Sequence, residues 1–187
     1  MPHNLKQYSD QQLYALLIEQ GVSSRAAFDE MYQRHSARIF TYCRRILGDA
    51  SLAEDMFQET FVRFFETAKT EREMTNLPAY LLRIARNLCL GEKKKQQRQM
   101  VSFEEFRFAS HDASYESTEL IQLVETALET LKEDYREAYV LKEFLGMSYN
   151  EIADVTGATL PIVRIRIYRA KTQIREILAP YIEDLQK

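Results

Sequence analysis

Five cationic side chains, Arg164, Arg166, Arg169, Lys171 and Arg175, stand between positions 159 and 175 with no acid among them. Such a density of donors suits a polyanion. The guanidinium fork matches a phosphate or the acceptor edge of guanine. The element that must position them is a helix. Val163, Ile167, Ala170 and Ile174 recur at steps of four, three and four, so they share one buried face. Arg164, Ile165, Tyr168 and Arg169 fall on the other. Upstream, Ser148 and Glu151 have the spacing of a capping box, and Ile152, Ala153 and Val155 give a short helix its apolar side. Gly157 can take the positive φ that ends it, Thr159 is a good N-cap for the next helix, and Pro161 sits in that helix's first turn. A short capped helix, a glycine turn and a basic second helix form the pattern of a helix-turn-helix that reads DNA. The basic helix alone is explained as well by a solvated face; the turn chemistry and the unmixed charge carry the DNA reading.

Two other stretches offer chemistry. Asn76 and Pro78 start a helix whose Leu77, Leu81, Ile84, Ala85 and Leu88 face inward and whose Arg83, Arg86, Asn87, Leu90 and Lys94 face outward. An outward row of Arg, Asn and Lys can contact phosphates and base edges, and it equally suits a soluble surface. Earlier, Ala53, Phe57, Phe61 and Phe64 form an inward face with Asp55, Glu59, Val62 and Glu66 opposite and Gln58 on the flank. Those acids read either as a solvated face or as a docking surface.

The net charge of −3 sits badly with a simple nucleic-acid binder, but it hides segregation. Residues 47–59 carry −4, residues 83–98 carry +5 and residues 99–119 carry −4. Two basic surfaces, separated by an acidic connector and preceded by an acidic patch, suit a chain that meets DNA twice and a basic protein once. His3, His35 and His111 have no ligand spacing, and neither a glycine-rich phosphate loop nor a nucleophile elbow occurs. No metal, cofactor or catalytic residue is therefore expected. Cys43 and Cys89 fit reduced, buried thiols in a cytoplasmic protein. No transmembrane-length apolar run or signal-peptide pattern is found, so no membrane insertion is expected.

The remaining elements follow from caps and periodicity. Ser9 and Gln12 open a helix over 9–20 with the stripe Leu13, Leu16 and Leu17, and a long helix runs from Ser24 to Leu47. Ser51 with Glu54 is expected to cap a helix to Lys69, and 70–76 is a polar loop. Around 99–117 the helical signal fades into a linker whose length argues for two domains. Helices resume over 118–131 and 133–145, and 179–187, with Pro180, is expected to fray. No stretch has convincing period two. The expectation is an all-α chain of two small helical domains joined by a flexible linker, with boundaries 1–98, 99–117 and 118–187.

In this order the parts resemble a bacterial RNA polymerase sigma factor of the extracytoplasmic-function group, with a sigma-2-like bundle and a sigma-4-like helix-turn-helix. The likeness rests on AEDMFQETFVRFFE (Ala53–Glu66), PAYLLRIARNLCL (Pro78–Leu90), the run Ala127–Gly157 and VRIRIYRAKTQIREIL (Val163–Leu178). It implies a transcription initiation factor that binds core polymerase, directs it to promoters and helps open the duplex, and that is not an enzyme. Asp55, Gln58 and Glu59 match residues that dock on the clamp helices of the polymerase largest subunit. Tyr80, Arg83, Arg86, Asn87 and Lys94 lie on the helix that holds the minus-ten element. The loop Thr70–Asn76 stands where this family captures a flipped base, and an extruded base needs a pocket to offset lost stacking. Arg164, Ile165, Tyr168 and Arg169 match positions facing the minus-thirty-five element. An anti-sigma factor is implied as a further partner.

The chain also departs from the family pattern. Tyr80 replaces a usual Trp, and Gly91 replaces a usual Asp and is expected to weaken the helix there. Pro161 and Ile162 replace a Gly-Thr pair, removing two possible phosphate bonds, and Ile165 replaces a small hydroxyl residue and can touch a thymine methyl. An unusual minus-thirty-five element is expected. Two alternatives stay open: a helix-turn-helix regulator acting without core polymerase, and a sigma-like interaction protein that reads no promoter.

Overall fold

The structure is a computed structural model that describes residues 5–19, 21–68, 74–102 and 119–185. After a 3-10 turn at Leu5–Gln7, the helices are α1 (Asp10–Ile18), α2 (Ser24–Leu47), α3 (Ala50–Ala68), α4 (Leu77–Ser102), α5 (Glu119–Thr130), α6 (Glu133–Tyr139), α7 (Tyr149–Thr156) and α8 (Leu160–Leu185). A wide π turn, Val140–Phe144, follows α6. No strand occurs among the described residues, and no helix among them is long and apolar enough to cross a membrane. The fold is all-α, as the periodicity predicts. Two compact units are present, Met1–Leu90 with Asp154–Thr156, and Gly91–Ala153 with Gly157–Lys187. The expected linker lies for the most part outside the described residues; α4 itself continues to Ser102.

In the first unit α2 packs against α1 and α3. The capping box of α1 is formed: Ser9 Oγ accepts the Gln12 N–H at 3.2 Å and Gln12 Oε1 accepts the Ser9 N–H at 2.8 Å. Helix α3 starts one residue before the expected Ser51, because Asp49 Oδ1 accepts the Leu52 N–H at 2.8 Å. The carboxylate directly after Gly48, which has φ 78°, takes the N-cap and leaves Ser51 inside the helix. Leu13, Met31, Ile39, Tyr42, Phe64 and Leu81 are fully buried. Arg34 of α2 ties down the N-terminal segment, donating to the Leu5, Lys6 and Tyr8 carbonyls and pairing with Asp10 at 3.2 Å and Glu30 at 2.8 Å. Asp10 also accepts from His35 Nε2 at 3.0 Å.

Asn76 caps α4 through its side-chain oxygen, which accepts the Ala79 N–H at 3.1 Å. Two adjacent rows of α4 are buried, since Leu82 and Cys89 are enclosed along with Leu77, Leu81, Ala85 and Leu88. Gly91 does not interrupt the helix, and a Cβ there would meet nothing within 4 Å.

The second unit closes on Ala127, Leu128, Leu131, Ala170 and Ile174, with Tyr135, Tyr139, Phe144 and Leu178 packed around them. Helix α8 packs against α5 and α6. Buried Arg136 donates to the Glu129 carbonyl, satisfying one of the orphan acceptors in the last turn of α5. Within the π turn Val140 and Leu141 are buried, and Leu145 N–H reaches the Val140 carbonyl at 3.2 Å. The C-terminal stretch expected to fray is instead helical to Leu185, with Pro180 inside α8. Pro180 is exposed, as is Glu176 one turn before it, so water can solvate the carbonyl that the proline leaves without a donor.

Candidate nucleic-acid interface and docking surface

The helix-turn-helix is built as its turn residues dictate. Ser148 Oγ accepts the Glu151 N–H at 3.3 Å, and Glu151 accepts the Ser148 N–H at 2.7 Å. Gly157 ends α7 at φ 70°, a left-handed conformation costly for a side chain with a Cβ. The Thr159 carbonyl accepts the Val163 N–H at 3.0 Å at the start of α8, and Pro161 follows in the first turn. Val163, Ile167, Ala170 and Ile174 are all buried. Arg164, Ile165, Tyr168 and Arg169 are all exposed, so the structure puts these four on one open face.

Four of the five cations of α8 are held by residues from other segments, which no local sequence pattern identifies. Arg164 lies against the Tyr149 ring, 5.9 Å from its centroid, and Lys142 Nζ approaches the same ring at 5.1 Å. Arg169 donates to Tyr135 Oη at 2.8 Å with its guanidinium 6.0 Å from that ring. Arg166 pairs with Asp134 at 2.5 Å, and Lys171 pairs with Glu143 at 2.8 Å. The hydrogen bond to Glu143 raises the Lys171 pKa, so its charge is secure. Tyr135, Asp134 and Tyr149 are separated from their partners by 15 to 34 residues, a separation that no local pattern encodes.

Along α4, Arg83, Asn87 and Lys94 are exposed, and Arg86 and Tyr80 are half-buried. The Tyr80 ring meets Phe64 at 6.4 Å, edge to face. Of the adjoining loop, Thr70 to 73 lies outside the described residues; Asn76 serves as the cap of α4.

On α3, Asp55 and Gln58 are exposed and Glu59 is half-buried. Glu59 pairs with Arg63 at 2.7 Å, and Gln58 reaches Glu54 at 3.5 Å. Gln58 also lines a groove of about 790 Å³ between α2 and α3, together with Phe28, Tyr32, Phe57, Phe61 and Phe65 and the carboxylates Asp29 and Glu66. The rings meet mostly edge to face, as Phe57–Phe61 do at 5.4 Å and Phe28–Phe65 at 5.5 Å. Phe57 and Phe61 face inward as expected, yet the core does not close over the row: Tyr32, Val62 and Phe65 stay exposed. The doubled aromatic at Phe64-Phe65 is the sequence signal for this, since two successive positions cannot both face one core.

The sigma-70 region 2 family matches residues 31–99, and the sigma-70 region 4 family matches residues 121–174. The chain is 32% identical over 162 residues to the ECF RNA polymerase sigma factor SigE of Mycolicibacterium smegmatis, spanning 83% of this chain and 63% of that protein. It is 30% identical over 141 residues to the ECF RNA polymerase sigma factor EcfG of Rhodopseudomonas palustris, spanning 70% of this chain and 74% of that one. Among solved structures, the sigma factor RpoE of Bartonella quintana, in complex with the anti-sigma factor NepR, superposes with a TM-score of 0.69. The identity is 26%, over 81% of this chain and 96% of that one. The protein belongs to the ECF group of RNA polymerase sigma factors, which direct the polymerase to promoters.

Proposed function

We propose that this chain docks on core RNA polymerase through Asp55, Gln58 and Glu59 of α3. In this reading it holds the minus-ten element along Tyr80, Arg83, Arg86, Asn87 and Lys94 of α4, and the minus-thirty-five element against Arg164, Ile165, Tyr168 and Arg169 of α8. The working units are residues 1–98 and 118–187, with 99–117 as the connector. The chain acts in the bacterial cytoplasm. RNA synthesis belongs to the polymerase, and no catalytic step is assigned to this chain. An anti-sigma factor is its second protein partner, a reading supported by the partner of the superposed RpoE.

The observation that carries core docking is the aromatic groove that Gln58 shares with the carboxylates Asp29 and Glu66. Carboxylates next to an open apolar slot suit an amphipathic helix with basic and apolar side chains, the two contact types that anchor an interface. The test is binding of the purified protein to sigma-free core polymerase, with an Asp55→Ala, Gln58→Ala double variant beside it. Tight wild-type binding, weakened about 30-fold or more in the variant, is expected, since the few hot-spot residues of an interface are worth about 2 kcal/mol or more. A folded wild type that does not bind core overturns the reading and turns attention to a DNA-binding regulator independent of polymerase.

A further inference from the structure

Helix α8 presents an outward face whose centre is apolar. At about 100° per residue, Ile165 and Tyr168 lie between Arg164 on one edge and Arg169 on the other. Ile165 is 51% exposed and Tyr168 is 72% exposed, so neither is used by the core. The polar groups around them are drawn aside. Arg164 rests on the Tyr149 ring and Arg169 is bonded to Tyr135 Oη. Thr172, the next outward residue, donates its hydroxyl to the Tyr168 carbonyl at 3.1 Å, which turns that group onto the helix itself. The surface therefore has cationic edges and a greasy ridge.

Charge selects the occupant. Arg166 and Lys171 are paired with Asp134 and Glu143, but Arg164 and Arg169 flank the ridge on both edges, and cationic edges along an apolar ridge favour the phosphate-walled major groove over a protein surface. Inside that groove the polar base atoms are donors or acceptors, and the bulkiest apolar feature is the C5-methyl group of thymine. A β-branched, hydroxyl-free side chain at the centre of the face gains nothing from a donor or acceptor edge, and it leaves the base's polar group unpaired there. It gains from a methyl group.

Resting on the minus-thirty-five reading of α8, we propose that Ile165 is a specificity-determining residue that selects a thymine methyl in the minus-thirty-five element, with the Tyr168 ring covering the same contact from the next turn. The element this protein prefers then carries thymine opposite Ile165, on whichever strand faces the ridge, and tolerates loss of a methyl there poorly.

The test uses the full chain reconstituted with core polymerase. Duplexes are first selected from random sequence upstream of a fixed minus-ten region. Each thymine of the selected minus-thirty-five element is then replaced by deoxyuridine, which removes the methyl and nothing else. At one or two positions binding should weaken about fourfold, the worth of one buried methyl-sized group. In the Ile165→Ala holoenzyme the same uracil substitution should have no further effect, because the partner of the methyl is already gone. Arg164→Ala, by contrast, should bind more weakly yet keep the uracil sensitivity. If the holoenzyme binds its selected promoters but no uracil substitution matters, the proposal is overturned while the sigma reading stands. If uracil sensitivity survives unchanged in Ile165→Ala, the proposal is equally overturned, and another side chain reads the methyl. If no core-dependent selection of a minus-thirty-five element occurs at all, the reading of α8 falls and this proposal falls with it.

Discussion

On α3 two polar pairs lie within the helix itself: Glu59 takes Arg63 at 2.7 Å and Gln58 reaches Glu54 at 3.5 Å, each pair four residues apart. On α8 the cations are tied across helices, to Asp134 and Tyr135 of α6, Glu143 of the π turn and Tyr149 of α7. Both helices bury a regular apolar stripe, so the difference lies only in what directs the outer face. The α3 surface would present the same charges in any context that keeps the helix. The α8 surface has its arginines aimed by tertiary packing, and a side chain aimed before binding loses less rotamer freedom when it meets a ligand. One face is an adaptable acidic rim beside an open groove, and the other is a preset reading head. The first unit does have cross-element polar ties, but it spends them on holding its N-terminal segment to Arg34 and His35.

The comparison breaks most readily at the reading head. Arg164→Ala should cost about 1–3 kcal/mol of holoenzyme affinity for a promoter, roughly 5- to 150-fold, and the loss should vanish on DNA lacking the minus-thirty-five element. Arg164→Lys keeps the charge but not the planar contact with Tyr149, so it should recover only part of that loss. Titration of labelled promoter with each holoenzyme measures both. Equal losses on promoters with and without the element would reduce Arg164 to a non-specific phosphate contact.

A smaller effect is expected in the first unit, on stability. Burial lowers the His35 pKa below its usual 6.5, and the hydrogen-bonded Asp10 offsets this only in part. Arg34 and Arg38 push it down further. Because the folded value is the lower one, the unfolded chain takes up a proton before the native chain does. The contribution is complete above pH 6.5 and is lost as pH falls from there towards the folded value. Urea midpoints measured from about pH 7.5 to about pH 5.5 should fall more steeply for the wild type than for His35→Gln. Parallel slopes would mean that His35 is not the group that titrates.

How much of this was legible beforehand follows the same division between local and distant causes. The capping boxes at Ser9 and Ser148, the αL turn at Gly157 and the buried stripe from Val163 to Ile174 are set by neighbours within four residues, and all are found as read. The start of α3 differs from the Ser51 expectation through a local competition, in which Asp49 outranks Ser51 as the cap. The stretch 179–187, with Pro180, is expected to fray, but an exposed proline one turn after an exposed residue can stay in a helix whose earlier turns are pinned by Ala170 and Ile174. The second buried row of α4, Leu82 and Cys89, and the open aromatic groove depend on how helices surround one another. The partners of Arg164, Arg166 and Arg169 lie 15 to 34 residues away, beyond any periodicity. Candidate site residues were thus readable as faces, and their orientation was not.

The smallest effects separate the two designs most cleanly. Tyr135→Phe removes one hydroxyl and leaves the ring under the Arg169 guanidinium, so the second unit should stay folded. Released from its 2.8 Å bond, Arg169 must be ordered by the DNA itself, and promoter affinity should drop about threefold, within the usual range for one hydrogen bond of about 0.5–1.5 kcal/mol. On α3 the matching change is Arg63→Ala, which removes the partner of Glu59 at 2.7 Å. That pair is exposed and local, so core binding should change by no more than about 0.5 kcal/mol. Freed from Arg63, Glu59 is available to the basic partner proposed for it, so any small change should be towards tighter binding. A Tyr135→Phe protein that binds promoters like the wild type would show that Arg169 needs no aiming. An Arg63→Ala protein that loses core binding would show that the acidic face is as dependent on its neighbours as the basic one.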